Sequence, residues 1–253
     1  MKMIYLCVFS PAGHSATAAE AVASVWGSWE MIDLSRRDTD FSKYTFTQED
    51  LLLWAVPSYG GRVPAIAVER MKQLNGAGAK AVALVSYGRR AYDDTLLEMK
   101  EILTVCGFVM IAAVAALAEH TIVPSIASGR PDAADRVELA AFGKKIMEKY
   151  QSGNDSAVDV PGNMPYRIYN GVPAKPEASG ACIRCGACSA ACPVGAIPAE
   201  NPETTDPAQC ITCMRCVYRC PSNARNLKAE VLAAVGAKLA HLCAGDRVNE
   251  LFI

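Results

Sequence analysis

The hydrophobic positions of the chain fall into five short runs separated by more polar segments. The runs occupy residues 3–9, 29–34, 51–56, 79–86 and 108–117. Continuous apolar runs of this length are typical of strands buried on both faces of a parallel sheet. Four segments are predicted as helices: residues 15–26, 65–74, 91–106 and 131–150. Strands alternating with helices predict an α/β domain with a doubly wound, five-stranded parallel sheet.

The composition changes after residue 151. Residues 152–179 are rich in proline and glycine, and we interpret them as a connector without regular structure. Its aromatic residues, Tyr166 and Tyr169, indicate that it packs against a neighbouring surface. Apolar residues recur at helical spacing over residues 227–242 and predict an amphipathic helix that packs on its own protein. We therefore divide the chain into a first domain (1–151), the connector (152–179) and a second domain (180–253).

Eight of the eleven cysteines form two runs with the same spacing. In each run three cysteines lie three positions apart, and a fourth follows four positions later, directly before a proline. The members are Cys182, Cys185, Cys188 and Cys192, then Cys210, Cys213, Cys216 and Cys220. The second run repeats the first at an offset of 28 residues, from 182 to 210. This spacing is that of cysteines that bind 4Fe-4S clusters, and it resembles the bacterial two-cluster ferredoxins over residues 180–226.

In such ferredoxins the fourth cysteine of each run binds the cluster of the other run. We therefore expect Cys182, Cys185, Cys188 and Cys220 (the first set) to hold one cluster. Cys192, Cys210, Cys213 and Cys216 (the second set) would hold the other. Structural zinc sites are the alternative, since zinc also binds Cys-x-x-Cys pairs. A zinc site does not require the repeated pattern of three evenly spaced cysteines followed by a fourth cysteine and a proline.

Charge and hydropathy exclude several classes of function. The net charge is −1, so the chain has no electrostatic footprint for nucleic acid. The longest apolar run, residues 108–118, is too short for a membrane span of about 20 residues. The N-terminal residues are a better first strand than a signal peptide. Cysteines at cluster spacing, rather than disulfide spacing, are consistent with a reducing cytoplasm.

Three loops of the first domain carry candidate cofactor-binding residues. Each follows a strand that is expected to end at the edge of the sheet where ligands bind. The first loop offers Ser10, Gly13, His14, Ser15, Ala16 and Thr17 at the start of a helix, where amides and hydroxyls bind phosphate. The second offers Pro57, Ser58, Tyr59, Gly60, Gly61 and Arg62, and the third Ser86, Tyr87, Gly88, Arg89, Tyr92 and Asp93. Rings from two of these loops would flank a flat heterocycle by stacking.

The three loops resemble the phosphate loop and the two ring-binding loops of flavodoxins. With the cysteine runs, residues 3–226 resemble the family of fused flavodoxin–ferredoxin proteins. The resemblance implies FMN in the first domain and two 4Fe-4S clusters in the second. It also implies an electron carrier that relays electrons between the flavin, the clusters and redox partner proteins, without catalytic residues of its own.

Two alternatives stay open at the level of the sequence. In the first alternative, the chain is a flavoenzyme that reduces a small molecule, with Tyr59, Tyr92 or His120 as proton donor. In the second, it is a ferredoxin whose first domain has lost FMN and serves for docking. Ala12 favours the second of these, because a flavodoxin phosphate loop usually has threonine there. A histidine that fixes its loop is the simpler interpretation of His120.

Overall fold

The computed structural model describes residues 2–253 of the chain. Five parallel strands form the centre of one sheet: β1 (Ile4–Val8), β2 (Glu30–Asp33), β3 (Leu51–Pro57), β4 (Lys80–Tyr87) and β5 (Val109–Leu117). Four helices belong to the same domain: α1 (His14–Ala23), α2 (Ala65–Met71), α3 (Thr95–Val105) and α4 (Ala133–Gln151). The strand order β2-β1-β3-β4-β5 is that of flavodoxin-like folds, as the sequence predicted.

The central strands are apolar because both of their faces are covered. Along β3, Leu52 and Trp54 are fully buried in the core that includes α2 and α3. Leu51 and Leu53 alternate with them and lie in the core that includes α1 and α4. Helices α1 and α4 approach closely at Gly143, where an added Cβ would lie 2.0 Å from the carbonyl oxygen of Val22.

The second domain is small and built around the cysteines. Its elements are β6 (Glu177–Ala178), α5 (Ala187–Ala191), α6 (Arg215–Tyr218) and β7 (Arg225–Asn226), followed by α7 (Ala229–Leu242). Strands β6 and β7 pair antiparallel and close the domain. The predicted connector lies along the first domain: the amides of Asn163 and Arg167 both donate to Asp94, at 2.8 and 2.6 Å.

The end of the chain corrects the division made from the sequence. After α7 the chain returns to the first domain, and β8 (Glu250–Phe252) pairs antiparallel with β5 as a sixth strand. Asn249 fixes this return: it accepts from the amide of Leu117 and donates to Asp135 and Glu138 at 2.7–2.8 Å. Residues 180–253 are therefore not all one unit with the cysteines. Every helix within residues 2–253 is too short or too polar to cross a membrane.

Candidate functional site

A cavity of about 530 Å³ lies at the carboxyl edge of the sheet, where β1, β3, β4 and β5 end. Ten of the eighteen candidate cofactor-binding residues line it: Ser10, His14, Ser15, Pro57, Ser58, Tyr59, Gly60, Ser86, Tyr87 and Gly88. The cavity therefore lies where ligands bind in open α/β sheets, and all three loops contribute to its wall.

The first loop presents polar groups to this cavity. Gly13, just before α1, has a φ of +100°, a value that favours glycine. The hydroxyl of Ser10 accepts from the amide of Ala16 at 3.0 Å, and the hydroxyls of Ser15 and Ser86 are hydrogen-bonded at 2.7 Å. The hydroxyl of Thr17 instead donates back to the carbonyl of Gly13. The start of α1 thus offers hydroxyls and a helix N-terminus to an anion.

His14 extends from the same loop towards the second domain. Its Nε2 lies 4.0 Å from the carboxylate of Glu119, and its ring meets Tyr218 edge-on with the centroids 5.8 Å apart. Burial lowers the pKa of His14, while Glu119 opposes this shift. Within the described part of the chain, Nε2 is buried without a hydrogen-bond partner. An orphaned polar atom on the wall of a cavity fits a site that binds a polar ligand.

The second and third loops place their rings differently from one another. Tyr59 lies on the wall, and burial raises the pKa of its phenol well above the ordinary value. Tyr87 lines the cavity too, but it is buried and its hydroxyl donates to the carbonyl of Val248 at 2.9 Å. Tyr92 lies away from the wall and donates to Glu250 at 2.7 Å. Val248, just before β8, therefore holds Tyr87, and Glu250, within β8, holds Tyr92.

The remaining candidates lie off the cavity wall, and their part in cofactor binding stays a prediction. They are Gly13, Ala16, Thr17, Gly61, Arg62, Arg89, Tyr92 and Asp93. Arg62 pairs with Glu98, Arg89 donates to the carbonyl of Gly245, and Asp93 accepts from Arg167. These side chains connect loops to each other and to the chain end. Arg90, in the third loop, lines the cavity instead.

His120 has the structural role that the simpler interpretation predicted. Its Nδ1 accepts from the amides of Ile122 and Val123 at 3.3 and 3.1 Å. The proton of the neutral ring must therefore be on Nε2. Burial lowers the pKa of His120, so the ring is neutral near pH 7. The ring fixes the loop after β5 and also lines the cavity.

Sequence reasoning missed most of the side of the cavity that faces the second domain. The connector contributes residues 167–173, and α7 contributes Val235, Lys238, Leu239 and Leu242. Tyr169 lies against the second loop, since a Cβ added to Gly60 would be 2.1 Å from its ring. The aromatic residues of the connector and the apolar stripe over residues 227–242 were the available signals. They indicated that both segments pack on the protein, but not which surface they cover.

The structure places the cysteines of both runs in the second domain, and their division into the two expected sets stays a prediction. Cys182, Cys185, Cys188 and Cys220 line one small cavity in the second domain. Cys192 and Cys216 of the second set share a buried cluster with Cys188 of the first set, and Cys210 packs against it. Burial raises the pKa of Cys216 to about 11. Buried sulfurs of this kind become thiolates only when a cation compensates their charge, which fits an iron cluster.

Comparison with known proteins supports this picture for the cysteine region. Residues 181–224 match the family described as a 4Fe-4S dicluster domain. That match replaces the zinc alternative with iron–sulfur clusters. No curated protein matches the sequence.

Among the similar solved structures are three flavodoxins. A flavodoxin from the domain Archaea is 17% identical, over 60% of this chain and 99% of its own, at a TM-score of 0.39. The flavodoxin of Streptococcus pneumoniae TIGR4 is 15% identical, over 58% and 98%, at 0.40. That of Megasphaera elsdenii is 16% identical, over 56% and 99%, at 0.35. The fold assignment rests on the strand order and not on these neighbours.

The strand order and the matched cysteine region together define a flavodoxin-like domain joined to a 4Fe-4S ferredoxin-type domain. A chain of this kind binds iron–sulfur clusters and has a redox role in electron transfer.

Proposed function

We propose that the protein relays electrons between an FMN in the cavity and two 4Fe-4S clusters, one on each set of cysteines. One observation carries this proposal. Ile211 and Thr212, which lie between Cys210 and Cys213 of the second set, line the same cavity as Tyr59. A cluster on the second set would therefore adjoin a flavin in the cavity, separated from it by little more than this segment.

The residues of the wall fit FMN. Ser10, Ser15 and the start of α1 would hold its phosphate, and Tyr59 and Gly60 would lie against its ring. A flavin accepts electrons in pairs and releases them singly, whereas a cluster carries one. The part of the protein in this chemistry is to hold the groups close together and to limit the access of water.

The two sets differ in their exposure. In the first set Cys185 is exposed, and the neighbouring Ile183 has 66% of its surface exposed. In the second set Cys192, Cys213 and Cys216 are buried. We therefore place the first cluster at the surface, where a redox partner protein exchanges electrons, and the second between it and the flavin.

Flavin binding is tested by a pair of variants at the start of α1. Ser15→Asp puts a carboxylate on the cavity wall and should expel FMN by charge repulsion. Thr17→Asp adds the same charge two residues further along α1, away from the cavity wall, and should still bind FMN. Flavin affinity and iron content are measured in anaerobically reconstituted protein. If Ser15→Asp holds iron and binds FMN as tightly as the wild type, the phosphate site is wrong. Wild-type protein with iron but without FMN would favour the docking alternative.

A second candidate function, reduction of a small molecule, is favoured by His120. Its fixed Nε2 proton and the apolar residues of α7 adjoin the same cavity. Tyr92 is withdrawn from this role by its contact with Glu250. His120→Asn should then slow the reduction of an added quinone by the reduced protein but leave electron transfer to a one-electron acceptor unchanged. If the variant reduces both acceptors at the same rates as the wild type, this candidate is removed.

A further inference from the structure

The repeat of the cysteine runs places two different residues at equivalent positions. With the offset of 28 residues, Ile197 of the first run corresponds to Arg225 of the second. Both side chains are buried, with 3% and 2% of their surfaces exposed. Ile197 belongs to a buried cluster with Cys188 of the first set and Cys192 and Cys216 of the second. Arg225 lines the cavity that the first set encloses. One run thus has an aliphatic side chain where the other has a guanidinium.

The contacts of Arg225 orient its charge without neutralising it. Nη1 donates to the carbonyl of Pro202 at 2.6 Å, and Nη2 donates to the carbonyl of Pro176 at 3.1 Å and to the hydroxyl of Thr205. All three acceptors are uncharged. Among the described residues, Arg225 forms no ion pair with a carboxylate, and its Nε is buried without a partner.

A buried cation without an anionic partner is strongly destabilising. The sulfur of Cys188, in the first set, lies 3.9 Å from Nη1. Once iron is bound, this sulfur is a thiolate and the cluster is the nearest anion. The energetic cost of burying Arg225 is therefore offset when the first cluster is present.

We propose that Arg225 is the counter-ion of the first cluster and raises its reduction potential. This rests on the proposed binding of a cluster by the first set. Reduction adds one negative charge to the cluster, and a fixed positive charge nearby in a medium of low dielectric constant stabilises that state. The second set has other cationic neighbours: Lys175 donates to the carbonyl of Cys210 at 2.7 Å and Arg70 to that of Pro193 at 2.6 Å. Arg225 also lies near Cys216 of the second set, but that set has these further cations, so we expect the larger effect at the first cluster.

The test compares charge, hydrogen bonding and burial in the full chain. Arg225→Gln keeps hydrogen-bond donors but removes the charge, and Arg225→Lys keeps the charge. Arg184→Gln is the matched control, because Arg184 also lines the first cavity but its side chain is 73% exposed and paired with Glu203. Redox titrations followed by electron paramagnetic resonance give the two potentials. The signal that Cys185→Ser perturbs identifies the first cluster.

We expect Arg225→Gln to disfavour the reduced first cluster at least tenfold, a fall of 59 mV for one electron, with a smaller change at the second cluster. Arg225→Lys and Arg184→Gln should stay within about threefold of the wild type. Unchanged potentials in an Arg225→Gln protein that holds all its iron would overturn the proposal, as would equal falls at both clusters. If Arg225→Gln does not hold iron, Arg225→Lys decides: a tenfold shift with the charge retained refutes a role for charge. Loss of iron from the wild type would instead refute cluster binding.

Discussion

Arg62→Gln should destabilise the first domain without changing the potential of a bound flavin. In the structure, Nε and Nη2 of Arg62 each donate to the carboxylate of Glu98 at 2.8 Å. Glu98 is buried and accepts one further bond, from the amide of Val63. Nη1 of Arg62 donates to the carbonyl of Arg167 in the connector at 2.8 Å. Arg62 therefore joins the second loop, α3 and the connector, and does not face the cavity.

The magnitude follows from what the substitution leaves behind. Removing one partner of a fully buried ion pair costs about 3–5 kcal/mol, because the other charge stays buried and uncompensated. The side chain of Arg62 is 27% exposed, so water reaches the site and reduces this cost. We expect a loss of about 2–3 kcal/mol in the free energy of unfolding. The double variant Arg62→Gln/Glu98→Gln should recover part of it, since no buried charge then lacks a partner.

Urea unfolding followed by tryptophan fluorescence measures this loss. All three tryptophans, Trp26, Trp29 and Trp54, belong to the first domain, so the signal reports on that domain. Arg89→Gln is the control: Arg89 donates to the carbonyl of Gly245 and lies 3.6 Å from a fully exposed carboxylate. Its effect should stay within about 0.5 kcal/mol. Unchanged stability of Arg62→Gln together with a lowered flavin potential would refute this role of Arg62.

Three further predictions concern the clusters, the connector and the chain end. Cys192→Ser should abolish the cluster of Cys210 and leave the other spectroscopic signal intact, and the reverse result would contradict crossed ligation. Gly60→Ala should displace the ring of Tyr169 and expose the connector to proteolysis. Gly171→Ala, also at a positive φ but with no atom within 4 Å of the added Cβ, should cost only about 1 kcal/mol of backbone strain. Asn249→Asp should speed hydrogen exchange at the amide of Leu117, because the variant places a third carboxylate beside those of Asp135 and Glu138 and the three repel one another. The difference from the wild type should shrink as the pH falls and the new carboxyl is protonated. Exchange as slow as in the wild type at neutral pH would show that Asn249 does not hold β8.

The parallel sheet could be predicted because each strand carries its own signal. The run that contains Leu51, Leu53 and Trp54 is apolar throughout, and only a strand covered on both faces tolerates that. Helix boundaries were less accurate. Residues 91–94 were assigned to α3, but the helix begins at Thr95, since Asp94 is held outside it by the connector. Strand β8 has three residues, too few for a periodic pattern, and its pairing depends on contacts distant in sequence.

The cysteines and the cavity likewise differed in how well the sequence predicts them. The cluster-binding region could be predicted from spacing alone, because an iron cluster imposes the positions of its ligands along the chain, while the division of the cysteines into two sets stays a prediction. The cavity is formed by segments far apart in sequence. Its walls on the connector and α7 depend on where Tyr169 and Leu239 come to lie after folding. Arg62 and Arg89 were predicted to bind the cofactor because they lie in glycine-rich loops typical of ligand sites. In the structure their side chains instead fix those loops to other segments.

The return of the chain to its first sheet bears directly on how electrons would move. The second domain is attached twice, by the connector through Asp94 and by α7 and β8 through Asn249. Both attachments restrain the second domain beside the cavity, and Asn249 alone contributes three buried or half-buried hydrogen bonds, each worth about 1 kcal/mol or more. The fold therefore limits how far the second set can move from the cavity. Under the proposed relay, a flavin in this cavity would be covered by the connector and α7 on the side facing the second domain, and electrons from a partner protein would reach it through the clusters, entering at the exposed Cys185.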